Sequence, residues 1–195
     1  MTNAVLNNIL TRRSVRMYRS QQLGDGALAD IIEAGRCAPS GGNNQTTHFL
    51  VIQNAQVLNE LKALVTREFA KMELTEGMYK SLRASILRSR AGGYDFIFGA
   101  PTLVVTANRR GYGNAMADCA VALENMMLAA WSLGIGSCWI NQLRWLCDNE
   151  AICAYLQALG IREDEWVCGS LALGYPAQPA PTPPVRSGNP VTYVR

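Results

Sequence analysis

Apolar residues along this chain alternate between the three-to-four-residue spacing of helices and the short solid runs of buried strands. Val5, Leu6, Ile9 and Leu10 make a helical stripe over residues 2–11, with Thr2 or Asn3 placed to cap it. A second stripe follows Asp25 (Leu28, Ile31, Ile32, Gly35, Cys37) and ends at Ala38-Pro39, because the residue before a proline disfavours helix. Phe49-Leu50-Val51-Ile52 reads as a short strand, and Val57, Leu58, Leu61, Leu64 and Val65 as the next amphipathic helix. Leu103-Val104-Val105, after Ala100-Pro101, has the unbroken apolar character of a central strand covered on both faces. Beyond Gly134 come a strand at 136–140, a helix over about 149–159 and a strand at 166–173 that runs into Gly174-Tyr175-Pro176.

Two segments break this rhythm. Among residues 114–133 only Asn114, Asp118, Glu124, Asn125 and Ser132 are polar. A helix apolar on nearly every side must be covered on every side, which a chain of this size achieves most simply by pairing with another subunit. Residues 68–93 mix Lys71, Lys80, Arg83, Arg88 and Arg90 with Phe69, Met72, Leu74, Met78, Tyr79, Leu82, Ile86 and Leu87, ending at Gly92-Gly93. That mixture fits either a mobile lid inserted over a substrate or a solvated amphipathic helix. The tail, 177–195, carries Pro179, Pro181, Pro183, Pro184 and Pro190, so it is an extended arm rather than a helix. Its strand-like end, Val191-Thr192-Tyr193-Val194, suits addition to a neighbouring subunit's sheet, with a frayed tail as the alternative. The whole chain, 1–195, reads as one domain.

Composition narrows the function. With 195 residues and 49% hydrophobic content the chain can bury a core, which excludes disorder. A net charge of +3 without a basic stripe argues against nucleic acid, and no apolar run is long enough to span a membrane. The start of the chain lacks the basic flank, apolar run and small-residue cleavage site of a signal peptide, so a cytoplasmic location is expected. The six cysteines form no C-x-x-C pair and the one histidine is His48, which leaves zinc ligation poorly supported. The cysteines are expected to be reduced core thiols. A catalytic Cys–His pair is the alternative, with nothing in the sequence to bring the two together.

Four constellations could carry chemistry. Arg12, Ser14 and Arg16, at i, i+2 and i+4 of an extended segment, project from one face, with Arg13 and Arg19 turned elsewhere. Two guanidiniums and a hydroxyl so placed match the charge and fork geometry of a phosphate. Ala38-Pro39-Ser40-Gly41-Gly42-Asn43-Asn44-Gln45 offers glycines for close backbone approach and polar side chains for a heteroaromatic edge. It matches neither the dinucleotide-binding nor the P-loop glycine pattern. Leu133-Gly134-Ile135-Gly136-Ser137-Cys138-Trp139 is a glycine turn that can present bare backbone N–H groups. Arg186 could return a further positive charge to the phosphate.

In order along the chain, these pieces together with Gly99-Ala100-Pro101, the Ala- and Met-rich helix bearing Asp118, and Leu173-Gly174-Tyr175-Pro176 resemble the FMN-dependent nitroreductase family over nearly the whole length. The resemblance implies an α+β sandwich, a mostly antiparallel central sheet flanked by helices, built as an intertwined homodimer with FMN at the subunit interface. It implies that Arg12, Arg13, Ser14 and Arg16, with Arg186 assisting, hold the phosphate and ribityl end. Pro39, Ser40, Gly41, Asn43 and Gln45 would then reach the flavin from the other protomer, and Gly136 and Ser137 would line the ring through backbone groups. NADH or NADPH would donate hydride to the flavin and a nitroaromatic, quinone or related small-molecule acceptor would take it, in a ping-pong cycle with no catalytic side chain. A specialised flavoenzyme of the same fold, or a flavin-binding sensor without turnover, are the alternatives. Thr46 and Thr47 stand where family members often carry proline and an aromatic residue, which leaves the substrate side undefined.

Overall fold

The computed structural model describes residues 3–195; Thr2, one of the two expected helix caps, lies outside the described residues. Asn3 supplies the cap: its side-chain oxygen accepts from the Leu6 amide at 2.8 Å and opens α1, Ala4–Thr11. The other elements in chain order are α2 (Asp25–Arg36), β1 (His48–Ile52), α3 (Ala55–Lys71), α4 (Lys80–Ala91) and β2 (Thr102–Arg109). They are followed by α5 (Ala115–Ser132), β3 (Gly136–Ile140), the single turn α6 (Gln142–Trp145), α7 (Glu150–Ala158) and β4 (Glu165–Gly174). Asn54 and Asn149 cap α3 and α7 through side-chain oxygens, as Asn3 caps α1.

The strands form one antiparallel sheet in the order β1-β2-β4-β3. Alternation along β2 divides the interior into two cores. Leu103, Val105 and Ala107 pack with Leu61, Val65 and Phe69 of α3, Ile86 of α4, and Ile152 and Leu156 of α7. Val104 turns the other way and packs with Ile31 of α2 and with Leu123, Met126 and Ala130 of α5. The result is three layers, helices on both faces of the sheet, as an α+β sandwich requires. The run Leu103–Val105 is indeed central, and the strand extends past it on both sides, with Thr102, Thr106 and Asn108 also fully buried.

Residues 68–93 resolve into the last turn of α3, a connection at 72–79, and α4. The inner face of α4 is buried at Ser85, Ile86 and Ser89. The Ser85 hydroxyl lies 2.9 Å from that of Tyr94, and Gln142 of α6 donates to Tyr94 at 2.8 Å. A small-residue and polar inner face gives this helix no strong apolar stripe, which is why the sequence left its character open.

Helix α5 buries one side against the sheet and α2, while Met116 and Val121 remain exposed on the other. Helix α1 lies beside it, held where Asn8 donates to the Leu128 carbonyl at 2.9 Å and Trp131 donates to the Thr11 hydroxyl at 3.0 Å. The apolar stripe Val5, Leu6, Ile9 and Leu10 is exposed. The tail is pinned at its start, where the Ala177 amide donates to the Met17 carbonyl at 3.0 Å, and then runs exposed and extended, with Val191, Tyr193 and Val194 uncovered. The cysteines are all free thiols, but not all core: Cys37 is exposed where it caps the end of α2, and Cys153 is half-buried. No described helix is long and apolar enough to cross a membrane.

Candidate functional site

After α1 the chain leaves helical geometry at Arg12 and becomes extended. It then joins the start of β3: Ser14 and Ser137 form a parallel bridge, and the Val15 amide donates to the Ser137 carbonyl at 2.9 Å. Two constellations far apart in sequence, around Ser14 and Ser137, are thereby one structure. The alternation expected of an extended segment is present: Arg13 and Val15 are buried (7% and 8% exposed), whereas Ser14 and Arg16 face outward and Arg12 is half-buried. Gly136 permits the close approach, because a Cβ there would lie 2.7 Å from Val15 Cγ2.

The charges of this corner are poorly balanced. Arg12 Nη1, Arg13 Nε and the Ser137 hydroxyl are buried with no hydrogen-bond partner. The nearest acid to Arg12 is Glu124 of α5, at 3.8 Å and about half exposed. Arg13 donates to the carbonyls of Leu10 and Arg12 at the end of α1, so its outer nitrogens serve the helix terminus. Burial, and then the like charges of Arg186 and Arg12, hold the Arg13 guanidinium below its ordinary range. Arg186 lies on the exposed tail, and no hydrogen bond or ion pair among the described residues joins it to the Arg12–Arg16 segment. Arg16 lies 5.9 Å from the centre of the Phe98 ring, and Phe98 itself takes the left-handed backbone conformation (φ 59°). Burial pushes the Cys138 thiol up, opposed by the Arg16 charge. A buried guanidinium nitrogen and hydroxyl without partners are each unfavourable by roughly 1–3 kcal/mol. An anion such as a phosphate would pair with both and offset the mutual repulsion of the arginines.

The polar loop forms a second corner. Between α2 and β1, Gly41–Asn43 makes one 3-10 turn, and Gly42, Asn43 and Gln45 all have φ between 51° and 59°. Left-handed conformation at a side-chain-bearing residue is unfavourable by roughly 1–3 kcal/mol and persists only when neighbours enforce it. Here the Gly41 amide donates to Asp118 Oδ1 at 3.1 Å, and the Tyr112 hydroxyl sits between Asp118 Oδ2 (3.0 Å) and the Gly41 carbonyl (3.2 Å). The Gln45 amide donates to the Ser40 hydroxyl at 3.0 Å and its side chain to Asn43 Oδ1 at 3.2 Å. A Cβ on Gly41 would overlap Asn114 Nδ2 at 2.0 Å. Tyr112 and Asp118 are thus the anchors of this loop, with Asn114 packed close against Gly41, a role the sequence alone did not give them. The available signal was Asp118, an acid in the first turn of a mostly apolar helix. Beneath the loop lies a cavity of about 280 Å³ lined by Pro39, Ser40, Gln45, Phe49 and Asp118.

The two corners meet α5 at different points along its length, although the Arg12 side chain reaches back to Glu124. The loop is fastened to Asp118, while the arginine segment is tied near Leu128 and Trp131. At 1.5 Å per residue, Asp118 and Trp131 are about 20 Å apart along the axis. Among the described residues no hydrogen bond or ion pair joins residues 38–45 to residues 12–16, so one chain does not bring the expected site together. Nor do the described residues include a group of three or more His, Cys, Asp or Glu able to hold a metal ion.

Comparison with known proteins gives consistent results. The model of the nitroreductase family matches residues 9–175. A protein of Archaeoglobus fulgidus, whose name proposes an NADH dehydrogenase/NAD(P)H nitroreductase, is 32% identical over 171 residues, covering 88% of this chain and 84% of that protein. Among solved structures, a nitroreductase of Bacteroides fragilis with bound FMN is 42% identical with a TM-score of 0.88 over 100% of both chains. An FMN-bound nitroreductase of Desulfitobacterium hafniense is 28% identical with a TM-score of 0.84, again over 100% of both.

Proposed function

The chain belongs to the nitroreductase family, and from that premise we propose that it is an FMN-dependent NAD(P)H oxidoreductase that works as a homodimer and reduces nitroaromatic, quinone or related electrophilic compounds in a ping-pong cycle. The observation that carries this reading is the division of the site across α5. Arginines and a serine suited to an anion lie at one point along it and a strained, donor-rich loop at another, and neither is complete in one chain. A two-fold dimer places one protomer's loop against the other's arginine corner. The exposed apolar stripe of α1 and the outer face of α5, bearing Met116 and Val121, are the surfaces such a dimer would bury, and the extended tail is free to cross to the partner.

The residues fit FMN. Arg12, Arg16 and Arg186 would hold the phosphate, with Ser14 and Ser137 donating beside them; Arg13 fixes the end of α1 and adds its charge. Pro39, Ser40, Gly41, Asn43 and Gln45 would meet the ring from the other protomer, and Gly136 lets the first-corner backbone close up. When bound, FMN supplies the hydride-transfer chemistry. The chain positions it, excludes water from one face, and places positive charge where negative charge accumulates. No side chain is assigned a proton transfer: His48 is held by Glu165 at 2.7 Å beside the loop, and water is left as the proton source. The free thiols suit a reducing, cytoplasmic setting.

The test is direct. Purified protein is expected to be yellow, to elute at twice its chain mass by light scattering, and to bleach with NADH or NADPH without oxygen, regaining colour with a quinone. A monomer that stays colourless with added FMN overturns the reading, and a yellow protein bleached by neither nucleotide overturns the donor assignment.

A further inference from the structure

Beside the loop, adjoining the 280 Å³ cavity, an open cleft of about 500 Å³ lies between the loop's end, the tip of β2 and the start of β4. Arg36, Arg109 and Arg162 line it, with Thr46, His48 and Glu165. Three guanidiniums therefore face one carboxylate. That carboxylate is largely satisfied: Glu165 Oε2 accepts from the Arg162 amide at 3.0 Å and lies 2.7 Å from His48 Nδ1, with only 2% of its side chain exposed. Arg162 itself stands 3.9 Å from Glu165 Oε1, and Arg36 pairs with Glu33 at 2.7 Å on the surface, where such pairs hold weakly. Arg109 forms no ion pair among the described residues. The Thr46 hydroxyl, also lining the cleft, is buried with no hydrogen-bond partner.

Resting on the function proposed above, we propose that this cleft binds the anionic end of a substrate, a carboxylate or a phosphate, while the reacting part of that substrate lies over the flavin. Two observations locate it there. Gln45 lines both the cleft and the cavity under the loop, so an occupant touches the residue assigned to the flavin. The cleft is also lined by Thr46 and Thr47, and the unpartnered hydroxyl of Thr46 can donate to the same anion that Arg109 attracts. Carboxylate on an aryl acceptor and pyrophosphate on the nicotinamide donor present the same chemistry: oxygens with charge matched to a guanidinium fork. Neutral acceptors gain nothing from it.

The test uses the FMN-loaded protein, its Arg109→Ala and Arg109→Lys variants, and calorimetric titration with benzoate, benzamide and inorganic pyrophosphate at low salt. Benzoate or pyrophosphate is expected to bind the alanine variant about five- to tenfold more weakly than the parent. Lysine should restore most of that loss, and benzamide should bind all three alike. A loss for benzoate assigns the cleft to the acceptor, and a loss for pyrophosphate assigns it to the donor. Neither anion weakening in Arg109→Ala, or benzamide weakening equally, overturns the proposal. Flavin content and anaerobic bleaching are read on the same samples. A parent without flavin refutes the function proposed above, while a yellow, reducible parent with unaltered anion binding refutes the cleft alone.

Discussion

Replacing Arg12 by alanine removes one guanidinium from a corner that holds four cationic side chains and a single half-exposed acid. In the free protein that guanidinium makes little: Nη1 is buried without a partner, and Nε is 3.8 Å from Glu124. Its charge also disfavours Arg13, which is held below its ordinary range partly by Arg12. The substitution should therefore leave the melting temperature of the flavin-free protein unchanged or slightly raised. With FMN bound the balance reverses, because a charge-assisted hydrogen bond to phosphate is lost. Such a bond contributes about 1.5–3 kcal/mol, which is about a 10- to 150-fold rise in Kd. The assay is titration of flavin-free protein with FMN, followed by quenching of flavin fluorescence, beside thermal melts with and without FMN. Arg19→Ala is the control, since Arg19 donates to the Pro176 carbonyl outside the corner, and it should shift Kd by less than about twofold. An Arg12→Ala protein that binds FMN within about twofold of the parent refutes the phosphate assignment. One that melts several degrees lower without FMN refutes the claim that the free corner is strained by its charges.

Three further outcomes follow from single contacts. Asp118→Asn keeps the size of the loop's anchor but removes the charge that accepts from the Gly41 amide and sits beside Tyr112; FMN affinity should fall about three- to thirtyfold, by the same titration, with little change in the melt of the free protein. Gly136→Ala sets a Cβ 2.7 Å from Val15 Cγ2; it should prise the Arg12–Arg16 segment from β3 and lower both FMN affinity and melting temperature, as spectral titration and thermal melts will read. The Glu68 carboxyl, in hydrogen bonds with Lys71 foremost and then Arg67 and Asn149, is pulled from 4.5 down to about 2 against the opposing effect of burial. Its folded value lies below its unfolded one, so the stability it contributes is present above about pH 4.5 and is lost as pH falls toward 2. Glu68→Gln should cost about 1–2 kcal/mol at pH 7, the exposed lysine and arginine being screened by solvent, and the difference should vanish near pH 2 in urea melts.

The parts of the fold that could be read from the sequence are those decided locally. Asn3, Asn54 and Asn149 each precede an apolar stripe and each caps its helix. The outward face of Arg12, Ser14 and Arg16 follows from the pleat of an extended segment, whatever that segment pairs with. What could not be read is decided by pairing across long separations. Nothing in residues 12–16 indicates that Ser14 bridges Ser137, and nothing in the glycine loop indicates that Tyr112 and Asp118 tie down Gly41. Helix α4 was ambiguous for a third reason: its buried face carries Ser85 and Ser89 beside Ile86, and a polar network with Tyr94 and Gln142 docks it where a stripe of leucines would have been legible.

That, among the described residues, the loop and the arginine segment share no polar contact within one chain carries a consequence for energetics. If FMN joins a loop from one protomer to arginines of the other, flavin binding and dimerisation are linked, and each must strengthen the other by the same factor. A substitution that only weakens the dimer must then weaken FMN, even though it touches neither corner. Ile9 is the place to make it, because it is 47% exposed on the free apolar stripe of α1 and joins no polar contact of either corner. Ile9→Asp leaves the monomer's core intact and places a charge in the surface the proposed dimer buries. Sedimentation at micromolar concentration should show it shifting toward monomer, its FMN affinity should fall in parallel, and excess FMN should drive it back toward dimer. If Ile9→Asp is monomeric yet binds FMN as tightly as the parent, the flavin is held within one chain and the division of the site across two protomers is wrong.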